Sequence, residues 1–178
     1  VNPPFYRLLG SHYNANSLGI AYIASYLNNR GHDAWLYNAD YLSDKRYGNL
    51  KKLFQNFTNY KNYFKNPDHA LWHEVKDKIL EFKPEWVGYT SYTANISAIK
   101  IISEKIRAAD PHIKQFVGGV HATLDKKLLN TLTSIDYSIQ REGEEPVLAL
   151  VENKDPTTIP GVISRGGKDS LIDMGIAP

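Results

Sequence analysis

Apolar positions recur with helical spacing directly after Ser17: Leu18, Ile20, Ala21, Ile23, Ala24 and Leu27 fall on one stripe. Gly31 stands where a left-handed residue closes a helix, and Ser17 is the expected N-cap. Asp33 to Tyr37 then reads as a short strand. The order loop, helix, strand implies a strand ahead of the Asn2-Pro3-Pro4 loop, of which barely a residue is visible.

Residues 41–82 change character. Leu50, Leu53, Phe54, Phe57, Tyr60 and Phe64 form an aromatic helical stripe, Pro67-Asp68 interrupts it, and Leu71, Trp72, Val75, Ile79, Leu80 and Phe82 define a second amphipathic helix. An inserted helical pair is expected, its aromatic stripe packing as core rather than forming a ligand surface. Trp86 to Asn95 follows, a short apolar and β-branched run that passes into small hydroxylated residues. It reads as a buried strand whose carboxyl end touches a ligand. Ile96, Ile99, Ile102, Ile106 and Ala109 mark a helix, Ile113 to Val117 a strand, residues 123–132 a short helix, Ile135 to Ile139 a strand, and Pro146 to Asn153 a helix.

Strand and helix thus alternate four or five times, the pattern of an α/β fold with a doubly wound, Rossmann- or flavodoxin-like, mainly parallel sheet. Gly161 to Arg165, a Gly166-Gly167 turn and Ser170-Leu171-Ile172 predict a small β-hairpin appended at the C-terminal end. The expected division is an α/β domain over 1–155 carrying the 41–82 insertion, then a hairpin and linker over 156–178.

Composition narrows the function classes. The 178 residues are 42% hydrophobic and 22% charged, ordinary for a globular domain. With 21 basic against 19 acidic residues scattered along the chain, no basic stripe recommends nucleic acid as partner. No apolar run approaches the ~20 residues needed to span a bilayer, and no basic-then-apolar leader opens the chain, so a cytoplasmic protein without a membrane partner is expected. The chain has 0 cysteines, which excludes disulfides, thiolate metal sites and iron–sulfur ligation within these residues. It opens without methionine and stops without a closing element, which reads as a piece of something longer.

In a doubly wound sheet, ligands sit outside the carboxyl ends of the strands. Three stretches share that edge: Thr90-Ser91-Tyr92-Thr93-Ala94-Asn95, Gly118-Gly119-Val120-His121-Ala122-Thr123, and Arg141-Glu142-Gly143-Glu144, with the Pro-Pro loop beside them. Paired glycines let a large group approach the backbone; alone, they equally make a tight strand-to-helix turn. His121 either bonds a ligand or caps the following helix. Glu142 and Glu144 either close the cleft or sit at a helix N-terminus, where carboxylates are favoured.

The spacing is similar to that of the cobalamin-binding domain of methionine synthase and the base-off mutases, with Thr90-Ser91-Tyr92 at the position of a Ser-x-Leu motif and residues 93–117, 25 in all, before Gly118-Gly119. Over nearly its whole length the chain more closely resembles the amino-terminal domain of the cobalamin-dependent radical SAM enzymes. Asn2-Pro3-Pro4, Leu18 to Ala24, Gly31-His32, Lys83 to Gly88, Gly118 to Thr123 and Arg141 to Glu144 carry the likeness in this order.

That resemblance implies a cobalamin ligand. Its nucleotide tail would pass beside Thr90 and Tyr92, with Gly118 and Gly119 making room. Thr93, Thr123, His121 and Glu142 would hold polar groups, and the corrin ring would lie across Asn2-Pro3 and Thr93-Ala94-Asn95. No Asp-x-His-x-x-Gly motif occurs, and His12 lacks the carboxylate that fixes a cobalt-ligating imidazole, so His12 is expected to face the ring's lower side rather than ligate cobalt. The resemblance further implies a downstream radical SAM domain with S-adenosylmethionine and a 4Fe-4S cluster beyond Pro178, and methyl transfer as the parent's reaction. The fragment alone would then bind cofactor and catalyse nothing.

The rival readings are a nucleotide- or flavin-binding domain and a sensory or interaction module that kept the fold without cobalamin. No Gly-x-Gly-x-x-Gly opens a helix, which disfavours the former. Neither Asp33 nor Asp40 makes the acidic cluster a receiver domain needs.

Overall fold

The computed structural model describes residues 1–11, 17–41 and 54–166. Four strands form one sheet in the order β1 (Trp86–Thr90), β2 (Lys114–Gly118), β3 (Tyr137–Ile139), β4 (Val162–Ser164). β1, β2 and β3 are parallel, and β4 runs antiparallel to β3 at the edge. The first arm of the expected hairpin therefore joins the main sheet, because its backbone pairs with β3; the second arm lies outside the described residues.

Seven α-helices are bounded within the described residues, besides three single-turn 3-10 helices. α1 (Leu18–Asn28) is followed by the insertion helices α2 (Phe57–Lys65) and α3 (Ala70–Leu80), then α4 (Ile96–Ala109), the short α5 (Val120–Leu124) and α6 (Leu128–Thr131), and α7 (Glu144–Val151). Gly31, at φ 85°, ends α1 as anticipated, and His32 N–H returns to Leu27 C=O at 3.2 Å. Ser17 holds the N-cap position without a side-chain bond. The single helix expected over 123–132 is two helices, since the chain leaves helical geometry at Asp125 (ψ 92°) and restarts at Leu128.

Strand alternation divides the side chains between two cores. On one face Val87, Tyr89 and Val117 meet α3, α4 and α6; Ile99, Ile102, Ile106, Trp72 and Val75 are all at 0% exposure. Tyr60 and Phe64 of α2 pack against this core as the sequence suggested, joined by Tyr63, while Phe57 and the neighbouring Phe54 are exposed; Leu50 and Leu53 of the expected stripe lie outside the described residues. On the other face Trp86, Phe116, Tyr137 and Ile139 meet α1 and α7. Gln115 is fully buried, yet its amide is satisfied: Tyr89 O–H donates to Oε1 at 2.7 Å, and Nε2 donates to the carbonyls of Ser103 and Ser134.

The expected strand at Asp33–Tyr37 forms no ladder. The residue after it, Asn38, makes an isolated parallel bridge to Asn2 outside the sheet. No described helix is long and apolar enough to cross a membrane.

Candidate functional site

The carboxyl edge is assembled from three turns that hydrogen-bond to one another. Ser91, fully buried, is the bolt: its N–H and Oγ both donate to Gly118 C=O, at 2.8 and 2.7 Å, while Oγ accepts Ala122 N–H at 3.0 Å and its C=O accepts His121 N–H at 3.1 Å. Asn95 locks its own turn, Oδ1 accepting Tyr92 N–H at 2.9 Å and Nδ2 donating to Thr90 C=O at 3.2 Å. Thr123 ties the second turn to the third: Oγ1 donates to Gly119 C=O and accepts Arg141 N–H at 2.9 Å.

Below this edge lies a cleft of about 530 Å³ that runs from the α1/α7 face back along β1 to residues 32–37 and 82–86. Ile20, Ile23 and Ala24 of α1 wall one side, and Val147 and Val151 of α7 the other. Its floor is Gly88, Phe116, Gly118 and Ile139, and Thr90, Gly119, Arg141 and Glu142 stand at the carboxyl end. The apolar stripe of α1 thus faces a cleft rather than a closed core: among its described residues only Leu27 is buried. The lining is apolar in its middle and polar at both ends, with Thr90, Arg141, Glu142 and Glu144 at the carboxyl end and His32, Asp33, Lys83 and Glu85 at the other.

The two central glycines have different reasons to be glycine. Gly119 has φ 97° and ψ −172°, and a Cβ there would sit 2.9 Å from both N and O of Ser91, so the turn itself demands glycine. Gly118 has no such constraint. A Cβ on it would meet only Ile139, at 3.8 Å, and would project into the cleft. Gly143 lets α7 begin against α1, where a Cβ would lie 2.8 Å from Ile23 Cδ1.

Of the residues singled out in the sequence, Thr90, Gly118, Gly119 and Glu142 line this cleft. Tyr92, Thr93 and Ala94 stand exposed above it; Thr93 Oγ1 lies 3.0 Å from His121 Nδ1, and Ala94 C=O accepts the Tyr60 hydroxyl at 3.0 Å. His121 Nε2 is 3.9 Å from Asp125, and Thr123 and Asn95 are engaged in the turns just described. Asn2 bridges to Asn38 through side chain and backbone, and Pro3 is buried. His12 lies outside the described residues.

Sequence reasoning passed over three contributors. Phe116 lays its ring across Gly88, where a Cβ would be 2.2 Å from Cζ; Ser91 welds the first two turns together. Asp40, buried at 5% exposure, accepts the N–H groups of Phe5 (2.7 Å) and Arg7 (2.8 Å) and so anchors the Pro-Pro loop. Burial raises its carboxyl pKa above the usual range, opposed by these backbone donors. No group of three or more potential metal-ligating side chains occurs among the described residues.

A flavodoxin-like sheet with an apolar cleft at its carboxyl edge, floored by glycine and walled by two helices, defines a ligand-binding α/β domain. Residues 9–151 match the model of the B12 binding domain, and the chain belongs to that family. Over 83 residues it is 31% identical to an anaerobic magnesium-protoporphyrin IX monomethyl ester cyclase of Rubrivivax gelatinosus, covering 46% of this chain and 15% of that protein. It is 27% identical over 106 residues to the protein of the same name from Cereibacter sphaeroides, covering 59% of this chain and 17% of that protein. The chain therefore spans under a fifth of these relatives' length.

Proposed function

We propose that the cleft between α1 and α7 holds the nucleotide tail of cobalamin, with the corrin ring over the carboxyl-edge turns. The observation that carries this reading is Gly118, a glycine that no backbone angle or neighbour requires and whose missing side chain leaves room in an apolar slot. The cleft's shape and lining fit the group: α1 and α7 would grip the flat apolar base, and Thr90, Arg141 and Glu142 would meet polar atoms of the tail. Thr93 and His121 stand where the ring's edge would pass. Asp40 and Ser91 position the loops without touching the ligand.

When bound, cobalamin supplies a cobalt centre for methyl transfer or for radical chemistry. The motif order of the sequence supports a parent enzyme in which a downstream radical SAM domain, with S-adenosylmethionine and a 4Fe-4S cluster, does the chemistry; the α/β domain, whose sheet includes β4, holds the corrinoid and the residues after it lead onward. Methyl transfer in the cytoplasm is the reading that resemblance favours. The likeness to the two cyclases favours a second, in which the parent closes a ring on a magnesium-protoporphyrin ester.

The test of the binding reading is gel filtration of the protein with hydroxocobalamin at micromolar concentrations. Pigment should travel with the protein, with a spectrum lacking the signature of benzimidazole-ligated cobalt. Colourless protein would remove the reading.

A further inference from the structure

Thr93, His121 and Asp125 stand in a row at the carboxyl edge. Their turns are fixed by backbone contacts: His121 N–H donates to Ser91 C=O at 3.1 Å, and Asn95 closes the Thr93 turn by accepting Tyr92 N–H at 2.9 Å. Across the gap between the turns, Thr93 Oγ1 lies 3.0 Å from His121 Nδ1. The other ring nitrogen, Nε2, is 3.9 Å from Asp125 Oδ2. Asp125 is itself held, because its Oδ1 accepts Lys127 N–H at 2.9 Å.

A neutral imidazole carries one donor and one acceptor nitrogen, so its surroundings decide which is which. A carboxylate beside Nε2 attracts an N–H and repels a lone pair, which favours the proton on Nε2. Nδ1 is then the acceptor, and the Thr93 hydroxyl supplies the hydrogen. A hydroxyl has a single hydrogen and two lone pairs. With that hydrogen turned toward His121, the exposed Thr93 presents only lone pairs on its outer side.

We propose that Asp125 and His121 polarise Thr93 into a dedicated hydrogen-bond acceptor that recognises the N–H of a primary amide on the rim of the bound corrin ring. The inference rests on the cobalamin reading and deepens it, by naming the ligand group and the side chain that reads it. The corrin rim carries primary amides, whereas a carboxylate in the same place has acceptors only and would meet Thr93 lone pair to lone pair. Thr93 thereby separates an amidated corrinoid from one with a free carboxylate. A site built to bond an N–H rejects an analogue lacking it more strongly than an apolar wall does. Thr93 touches the ligand; His121 and Asp125 act through it and are positioning residues.

Two measurements at about pH 8, above the ordinary range of an imidazole, test the proposal. Nitrogen chemical shifts of the His121 ring in the ligand-free protein should report a proton on Nε2 and none on Nδ1, and Asp125→Asn should bring in the other tautomer. A proton on Nδ1 in the parent would overturn the proposal with no corrinoid present. Equilibrium dialysis then compares cobalamin with its monocarboxylic acids, each carrying one rim amide as a carboxylate. At least one of these should bind about tenfold more weakly than cobalamin to the parent and to Thr93→Ser, and the gap should shrink to about twofold or less in Thr93→Val and Asp125→Asn. Equal affinities in the parent would overturn the amide readout while leaving cobalamin binding intact. A gap that persists in Thr93→Val would overturn it too, by placing the recognition elsewhere. A parent that binds no corrinoid would remove the cobalamin reading itself, and the amide assignment with it.

Discussion

Gly118 and Gly119 are adjacent and both small, yet substituting them should have opposite consequences. A side chain at Gly119 must adopt φ 97° and ψ −172°, a region essentially restricted to glycine, and its Cβ would press to 2.9 Å on the backbone of Ser91. Strain of about 1–3 kcal/mol for the angle, with the contact added, puts Gly119→Ala at a loss of about 3 kcal/mol. At ~2–4 °C per kcal/mol for a domain of this size, the Tm should fall by roughly 6–12 °C. At Gly118 the new Cβ makes one ordinary contact, 3.8 Å from Ile139, inside a strand where alanine is favoured over glycine by about 0.5–1 kcal/mol. Gly118→Ala should therefore fold at least as stably as the parent, and Gly118→Leu should keep its fold while filling the slot and losing hydroxocobalamin on gel filtration. Thermal melts and pigment retention on the same four proteins separate the two effects. If Gly118→Leu retains cobalamin as the parent does, or Gly119→Ala melts with it, the account of these glycines is wrong.

Other perturbations follow from single contacts. Ser91→Ala removes the hydroxyl that accepts Ala122 N–H in a fully buried position and should cost about 1–3 kcal/mol by urea unfolding. Asp40→Asn can keep an oxygen acceptor for Phe5 and Arg7 N–H and sheds a buried charge, so it should be near neutral at pH 7, whereas Asp40→Ala should lose about 2 kcal/mol and loosen the Pro-Pro loop in amide exchange.

The doubly wound core was legible because its strands and helices keep their periods: the Ile99, Ile102, Ile106 spacing on α4 became a stripe at 0% exposure. Gly118-Gly119 was legible as a strand-end feature, but only the backbone angles separate the glycine the turn needs from the one it does not. Residues 33–37 have a strand's composition without a ladder, since composition records burial preference while pairing depends on what lies alongside. The split at Asp125 escaped the pattern of leucines, which continues through it. Ser91, Asp40 and Phe116 were unreadable in their roles for a common reason. Each acts on a backbone or a glycine 25 or more residues away, at a distance only the fold brings together.

The central claim is that the α1/α7 cleft grips the tail of cobalamin rather than the corrin ring alone. Equilibrium dialysis of cobalamin against cobinamide, which lacks the nucleotide tail, on the parent protein and on Gly118→Leu addresses it most directly. The account predicts that the parent binds cobalamin at least about tenfold more tightly, a difference of ~1.4 kcal/mol, and that Gly118→Leu erases the difference. Equal affinity of the parent for the two corrinoids would contradict it.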